Sequence, residues 1–212
     1  MISALVPVKN FSAGKSRLSQ ALSPAQREKL SAFMLRRVLQ VLQESGRFDW
    51  VCVVTHDVRV ARIGQEYEVR VIWEPEPTNV NQAIGYATEI YRALGVQSLL
   101  VLPADIPFLT VQDVGAILTG TTREPKVTLC PSKEGTGTNA LLRTPPDVIP
   151  ARFGPNSFSL HRLEAQAGKI PCEIYPLPRV ALDIDRPEDL LPLKRTDQYS
   201  RAFAEFPLGI LI

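Results

Sequence analysis

Short apolar runs alternate along this chain with longer segments in which apolar residues recur every three or four positions. Ile2–Val6, Val51–Thr55, Val69–Trp73, Ser98–Leu102, Val127–Cys130, Ala140–Leu142, Glu173–Tyr175 and Val180–Leu182 have the length and composition of strands. Between them lie helical patterns. Leu30, Met34, Val38, Val41 and Leu42 repeat at helical spacing after Ser23-Pro24-Ala25-Gln26, a capping box with proline at the first helical position, and Gly46 stops the pattern. Asn79 opens a helix to Leu94 with Ala83, Ala87 and Tyr91 on one face. Thr110-Val111-Gln112-Asp113 caps another, Asn156–Ala167 is a shorter one, and Pro187-Glu188-Asp189-Leu190 starts the last. Strands alternating with helices predict an α/β fold with a mostly parallel central sheet flanked by helices.

The 212 residues suit a single domain spanning 1–212, with an apolar tail at about 195–212. Hydrophobic residues make up 45% of the chain, enough for a sizeable core. Proline, at 18 residues, is more frequent than average, yet no proline-rich stretch is long enough to divide the chain. The tail carries Phe203, Phe206, Leu208, Ile210, Leu211 and Ile212. Two readings fit it: docking on the chain's own core, or a subunit contact that would make a homodimer.

Charge narrows the function. Lys plus Arg is 24 against 22 for Asp plus Glu, without a basic block, which argues against a nucleic-acid partner. Only His56 and His161 are histidines, so a zinc site is not expected, and Cys52, Cys130 and Cys172 read as small apolar residues of a reducing compartment. No run approaches a membrane span, and the N-terminus reads as a strand where a signal peptide would need a basic start. A cytoplasmic protein with no membrane partner is the expectation.

The candidate chemistry is acidic. Leu102-Pro103-Ala104-Asp105-Ile106-Pro107 follows one strand-like run, and Leu182-Asp183-Ile184-Asp185 closes another, Arg179–Leu182. Carboxylates at strand ends of an α/β sheet project into the crevice where ligands bind. Singly, each aspartate could equally cap a turn or helix. Together they make three hard oxygen ligands suited to Mg²⁺ and a phosphate substrate.

Three other segments favour anions. The loop after the first strand holds Lys9, Gly14, Lys15, Ser16 and Arg17. It is not a P-loop, because position 9 is lysine where that motif requires glycine. Its cations suit a triphosphate, although a solvated basic loop would look the same. Glu134-Gly135-Thr136-Gly137-Thr138-Asn139 is a Gly/Thr-rich turn whose N–H and hydroxyl groups could approach an anion. Phe153-Gly154-Pro155-Asn156-Ser157-Phe158 leads into a helix N-terminus, which is either an anion site or an ordinary cap. His161, one turn on, reads as a structural or secondary contact.

These segments, in this order over roughly residues 2–191, resemble the guanylyltransferases of deazaflavin coenzyme F-420 biosynthesis, which act on 2-phospho-L-lactate, phosphoenolpyruvate or 3-phospho-D-glycerate. The resemblance rests on Pro7-Val8-Lys9, Lys15-Ser16-Arg17-Leu18, the Asp105 motif, Gly135–Leu141, Phe153-Gly154 with Ser157-Phe158 and His161, and Asp183-Ile184-Asp185 with Pro187–Leu190. It implies a Rossmann-like nucleotidyltransferase domain related to the molybdenum-cofactor guanylyltransferases. It further implies that Asp105, Asp183 and Asp185 hold Mg²⁺, that Asp105 and Lys15 serve catalysis, and that Thr138, Gly154 and Ser157 bind the phospho-acid. Lys15 and Arg17 would fall in the nucleotide loop, and Asn81 near the nucleoside. Val80 stands where the family has leucine, and Arg186 where threonine is frequent. The implied substrates are GTP and a small phospho-acid, phosphoenolpyruvate favoured, and the implied partner is a downstream transferase of coenzyme F-420 assembly. Two rivals stand beside this reading: a metal-dependent nucleotide-sugar transferase, and a non-catalytic nucleotide-binding module.

Overall fold

A computed structural model describes residues 1–11, 15–76, 78–121 and 123–190. Gly14 of the first loop and the apolar tail at 195–212 lie outside the described residues. Seven strands form one sheet: β1 (Ile2–Pro7), β2 (Trp50–Thr55), β3 (Arg70–Trp73), β4 (Ser98–Val101), β5 (Lys126–Pro131), β6 (Thr138–Thr144) and β7 (Cys172–Ile174). Their order across the sheet is β3-β2-β1-β4-β6-β5-β7. The β1–β2, β2–β3, β1–β4 and β5–β7 pairs are parallel, and β6 runs antiparallel to both β4 and β5. The reversal matters for the site. It brings the first residues of β6 to the same sheet edge as the last residues of its neighbours.

Both faces of the sheet are covered, so the strands are apolar on both sides. Ala4, Val6, Val53, Leu100 and Leu102 pack under α1 (Pro24–Glu44), α2 (Val58–Glu66) and α4 (Val111–Leu118), against Leu35, Val38, Ile63 and Val114. The alternate residues Leu5, Cys52, Val54, Leu99 and Val101 pack on the opposite face with Ala83, Ile84 and Tyr91 of α3 (Val80–Ala93) and Ala165 of α5 (Ser157–Ala167). The helix starts follow their local chemistry. Ser23, Asn79 and Thr110 each close a capping box with the glutamine, glutamine and aspartate three residues on. Each such cap is worth about 1 kcal/mol.

A third apolar cluster positions the functional edge. Leu18 and Leu22 of the first loop meet Leu30 and Met34 of α1, Phe108 beyond β4, and Ile184 and Leu190 near the end of the described chain. Three loops distant in sequence thereby share one small core directly beside the acidic residues.

The structure departs from the sequence pattern in four places. Val180–Leu182 is not a strand. Its backbone is satisfied by loop contacts instead: the Asn139 amide donates to the Val180 carbonyl, Ala181 N–H donates to Leu177, and the Ala181 carbonyl accepts from Lys133 N–H. Pro187–Leu190 is a single 3-10 turn where a helix start was expected. Asn156 precedes α5 in a left-handed conformation (φ 58°) and makes no side-chain cap, so the helix begins at Ser157. Helix α2, capped by Asp57 accepting from Arg59 N–H, is an element the sequence pattern did not disclose. Among the described residues, the three cysteines are free thiols and no helix is long and apolar enough to cross a membrane.

Candidate active site

A cleft of about 500 Å³ opens at the edge where β4 and β5 end and β6 begins. Asp105, Asp183 and Asp185 line it with Arg17 and Arg186, and so do Thr136–Asn139 and Phe153–Ser157. Seven of the nine residues singled out from the sequence (Arg17, Asp105, Asp183, Asp185, Thr138, Gly154, Ser157) therefore share one cavity.

The acidic cluster is assembled from one strand end and one loop. Asp105 follows β4, whereas Asp183 and Asp185 sit in irregular chain, not after a second strand. Two anchors replace the missing strand. The Ile184 N–H donates to the Asp105 carbonyl at 3.0 Å, tying the two acidic segments together. Asp189 accepts the N–H groups of Asp185 and Arg186 at 3.0 and 2.7 Å, closing the turn behind them. Upstream, Arg179 forks onto buried Asp113 of α4 at 2.8 and 2.9 Å, fixing the entry to this loop.

Lys15 is the cation of this cluster, although it does not line the cleft wall. Its Nζ lies 2.5 Å from Asp105 Oδ2 and 2.5 Å from Asp185 Oδ1, with the side chain only 9% exposed. Burial acts to lower its pKa, but the two carboxylates outweigh burial and hold it above the ordinary lysine value, so it is charged. Arg17 is 3.7 Å from Asp185 and 67% exposed, so that pair contributes little. Asp183 is the uncompensated member. Burial pushes its carboxyl up to about 6; a hydrogen bond from Asn139 at 3.0 Å works against that rise, and the charges of Asp105 and Asp185 add to it. Three carboxylates thus face one close ammonium. Among the described residues, no three His, Cys, Asp or Glu side chains converge into a ready-made metal centre.

The rest of the lining presents donors. Gly154 adopts φ +129°, a conformation other residues rarely take, and a Cβ there would meet open space, so glycine is required for backbone shape and not for room. Gly137 is the reverse case: its N–H donates to Ser132 Oγ at 2.9 Å, and a Cβ would crowd that hydroxyl. Ser157 is buried at the first turn of α5, and Phe158 N–H donates to the Thr136 carbonyl, joining the Gly/Thr turn to the helix. Asn81 lies apart from the cleft lining. Its amide clamps the Phe153 backbone, accepting from the N–H at 2.7 Å and donating to the carbonyl at 2.9 Å. Lys9 likewise is not among the lining residues; its carbonyl meets the Thr55 hydroxyl.

Lys133, Arg186 and Asn139 line the cleft as well, and the sequence reading gave none of them a role. Asn139 had a usable signal, since it ends the Gly/Thr turn; the two cations had none beyond proximity to named motifs.

The fold is that of a nucleotidyltransferase. Solved structures of similar architecture include a nucleotide-diphospho-sugar transferase candidate from Desulfovibrio desulfuricans G20 (TM-score 0.74, 16% identity, 99% of this chain and 93% of that one) and a nucleotidyl transferase from Methanothermobacter (TM-score 0.64, 15% identity, 97% and 99%). Sequence goes further than fold. The chain belongs to the family described as "Guanylyl transferase CofC like", whose model matches residues 2–205. Relatives include phosphoenolpyruvate guanylyltransferases from Rubrobacter xylanophilus (36% identity, 90% of this chain, 92% of the relative) and Conexibacter woesei (32%, 98%, 94%). A 3-phospho-D-glycerate guanylyltransferase from Colwellia psychrerythraea is 34% identical over 88% of each chain.

Proposed function

We propose that this chain transfers the GMP moiety of GTP to the phosphate of phosphoenolpyruvate. An acceptor phosphate oxygen attacks the α-phosphorus of GTP, the bond to the β-phosphate oxygen breaks, and pyrophosphate leaves. The observation that carries this reading is the lining of one cleft in a guanylyl transferase family member: an acidic cluster with a buried lysine, together with a wall of hydroxyl and N–H donors.

Each group has its task. Thr138, Ser157 and the Gly154 backbone receive the phospho-acid, with Asn81 acting at one remove by clamping Phe153. Arg17 faces the triphosphate, and Lys15, held between Asp105 and Asp185, adds its charge from outside the cleft lining, offsetting the repulsion between two anionic reactants. The all-oxygen set Asp105, Asp183 and Asp185 fits Mg²⁺, since three carboxylates against one close ammonium leave the cluster short of positive charge. Bound there, Mg²⁺ would supply charge opposite the α-phosphate oxygens. No general base is needed, because the acceptor phosphate is already ionised at neutral pH; the protein's contribution is alignment and charge. The product is a guanylyl diphospho-acid anhydride, an activated group for a downstream transferase in coenzyme F-420 assembly.

Among acceptors, phosphoenolpyruvate comes first, 3-phospho-D-glycerate second and 2-phospho-L-lactate third. A site built to pair the glycerate hydroxyl would reject an acceptor lacking it. Thr136 could pair that hydroxyl, but it lies in the same donor wall that serves the phosphate. Equal concentrations of the three acids with GTP and Mg²⁺, followed by mass spectrometry, should give mainly guanylylated phosphoenolpyruvate plus pyrophosphate. Asp105→Asn should abolish both. Dominant guanylylated phosphoglycerate would move the acceptor assignment; pyrophosphate release surviving in Asp105→Asn would refute the metal assignment.

A further inference from the structure

His161 stands fully buried on α5 behind the donor wall (0% exposed) and uses both ring nitrogens. The Arg152 backbone N–H donates to Nε2 at 2.8 Å, and Nδ1 lies 3.0 Å from Thr138 Oγ1. A backbone N–H can only donate, so Nε2 must carry its lone pair. A neutral imidazole has one N–H, which therefore sits on Nδ1. The ring is neutral at physiological pH: burial foremost, then the charges of Arg143 and Arg152, push its pKa down to about 4. Nδ1–H then donates to Thr138 Oγ1, and the hydroxyl proton of Thr138 is barred from the ring. His161 is the hydroxyl's only hydrogen-bond partner among the described residues, and Thr138 lines the cleft while being 4% exposed.

We infer that His161 is a positioning residue: its Nδ1–H tautomer, imposed by the Arg152 backbone, fixes the Thr138 hydroxyl as a donor aimed into the cleft, where it selects a pure acceptor such as a phosphate-ester oxygen. The identity of that ester rests on the function proposed above; the tautomer does not. The surrounding fold locks the arrangement. Arg152 precedes Phe153, whose backbone is held at both polar groups by Asn81 of α3. The Phe153 ring meets the imidazole edge-on, with centroids 5.1 Å apart. Rotation of the ring would cost both hydrogen bonds and this contact.

Two measurements test the inference. In ¹⁵N spectra of the histidine-labelled full chain at neutral pH, the His161 signal lost in His161→Phe should show Nδ1 protonated and Nε2 bare. Protonation at Nε2 overturns the inference, whatever the enzyme proves to transfer. The second is calorimetric binding of phosphoenolpyruvate and, separately, GTP. His161→Phe keeps the ring volume without nitrogens and should weaken phosphoenolpyruvate about tenfold while leaving GTP unchanged, the loss of one directed hydrogen bond. His161→Asn, which retains an N–H near Nδ1, should recover most of that loss. On a Thr138→Val background, His161→Phe should add nothing further, because the two residues act through one hydroxyl. Additive losses would overturn the positioning role. A wild-type chain that shows the Nδ1–H tautomer but binds no phosphoenolpyruvate would refute the proposed acceptor, not the tautomer.

Discussion

Asp183 shows how burial of one carboxyl works against stability. Its carboxyl has a folded pKa of about 6, raised from 3.8, chiefly by burial. The fold therefore prefers the protonated form. Well below pH 3.8, folded and unfolded states are both protonated and Asp183 costs nothing. As pH climbs from 3.8 to about 6 the unfolded chain ionises while the folded carboxyl stays protonated, so stability is lost across that window and the loss is complete above it. After discounting for partial exposure, the penalty at pH 7 is on the order of 1 kcal/mol. Asp183→Asn keeps the acceptor for Asn139 and removes the charge. It should raise the apo melting temperature at pH 7, lose that advantage by about pH 3, and abolish guanylyl transfer. Melting curves at the two pH values check this; an unchanged or lowered melting temperature at pH 7 would show that the burial penalty is not real. Thr138 and His161 teach a related lesson at the same scale. The residues themselves were readable as part of a motif, but the direction of a proton between them depends on a backbone N–H at Arg152, which no local pattern reveals.

Elements divide by what determines them. The helices α1, α3 and α4 were legible because a cap, a 3.6-residue apolar repeat and a stop all agree within one short stretch of chain. Strands β1, β2, β4 and β5 were legible because short apolar runs mark strands buried in the sheet, and β3 and β6 because their central residues are apolar. Val180–Leu182 misled, since it has the composition of a strand but its backbone is taken up by loop contacts. The parallel edge of β5 is already occupied by Cys172–Ile174. What orders this segment is the Arg179–Asp113 fork, 66 residues apart in sequence. Arg179→Met should leave Asp113 buried without its charged partner and cost about 2 kcal/mol in urea unfolding, less than for a fully buried pair because Arg179 is partly exposed. It should also slow guanylyl transfer, because Asp183 and Asp185 hang from the segment it anchors. Loss of stability with full activity would mean that the acidic loop holds its geometry without this anchor.

At the scale of the molecule, one sheet carries everything described, and the cluster of Leu18, Leu22, Phe108, Ile184 and Leu190 welds the loops of its functional edge to α1. Such continuity predicts a single cooperative unfolding transition for a one-domain protein. Trp50 and Trp73 both sit at the β2–β3 side of the sheet, far across from β7. Tryptophan fluorescence therefore reports one side, whereas far-ultraviolet circular dichroism reports the whole. Coincident midpoints in urea are expected; separated midpoints would divide the chain into two units.

By itself the sequence determined the alternating α/β pattern, the family, and most of the residues that line the cleft, because caps, apolar periods and short motifs are local properties written in consecutive residues. Only the tertiary structure decided that Lys15 would reach between Asp105 and Asp185, and that Asn81, itself outside the cleft lining, would clamp Phe153. It likewise decided that the second acidic motif would hang from a loop and that β6 would run backwards to deliver Thr138 to the same edge as Asp105. Each of these joins groups 33 or more positions apart. Such pairings are selected by which buried charges and backbone groups find partners when the whole chain is packed, and no window of neighbouring residues contains that information.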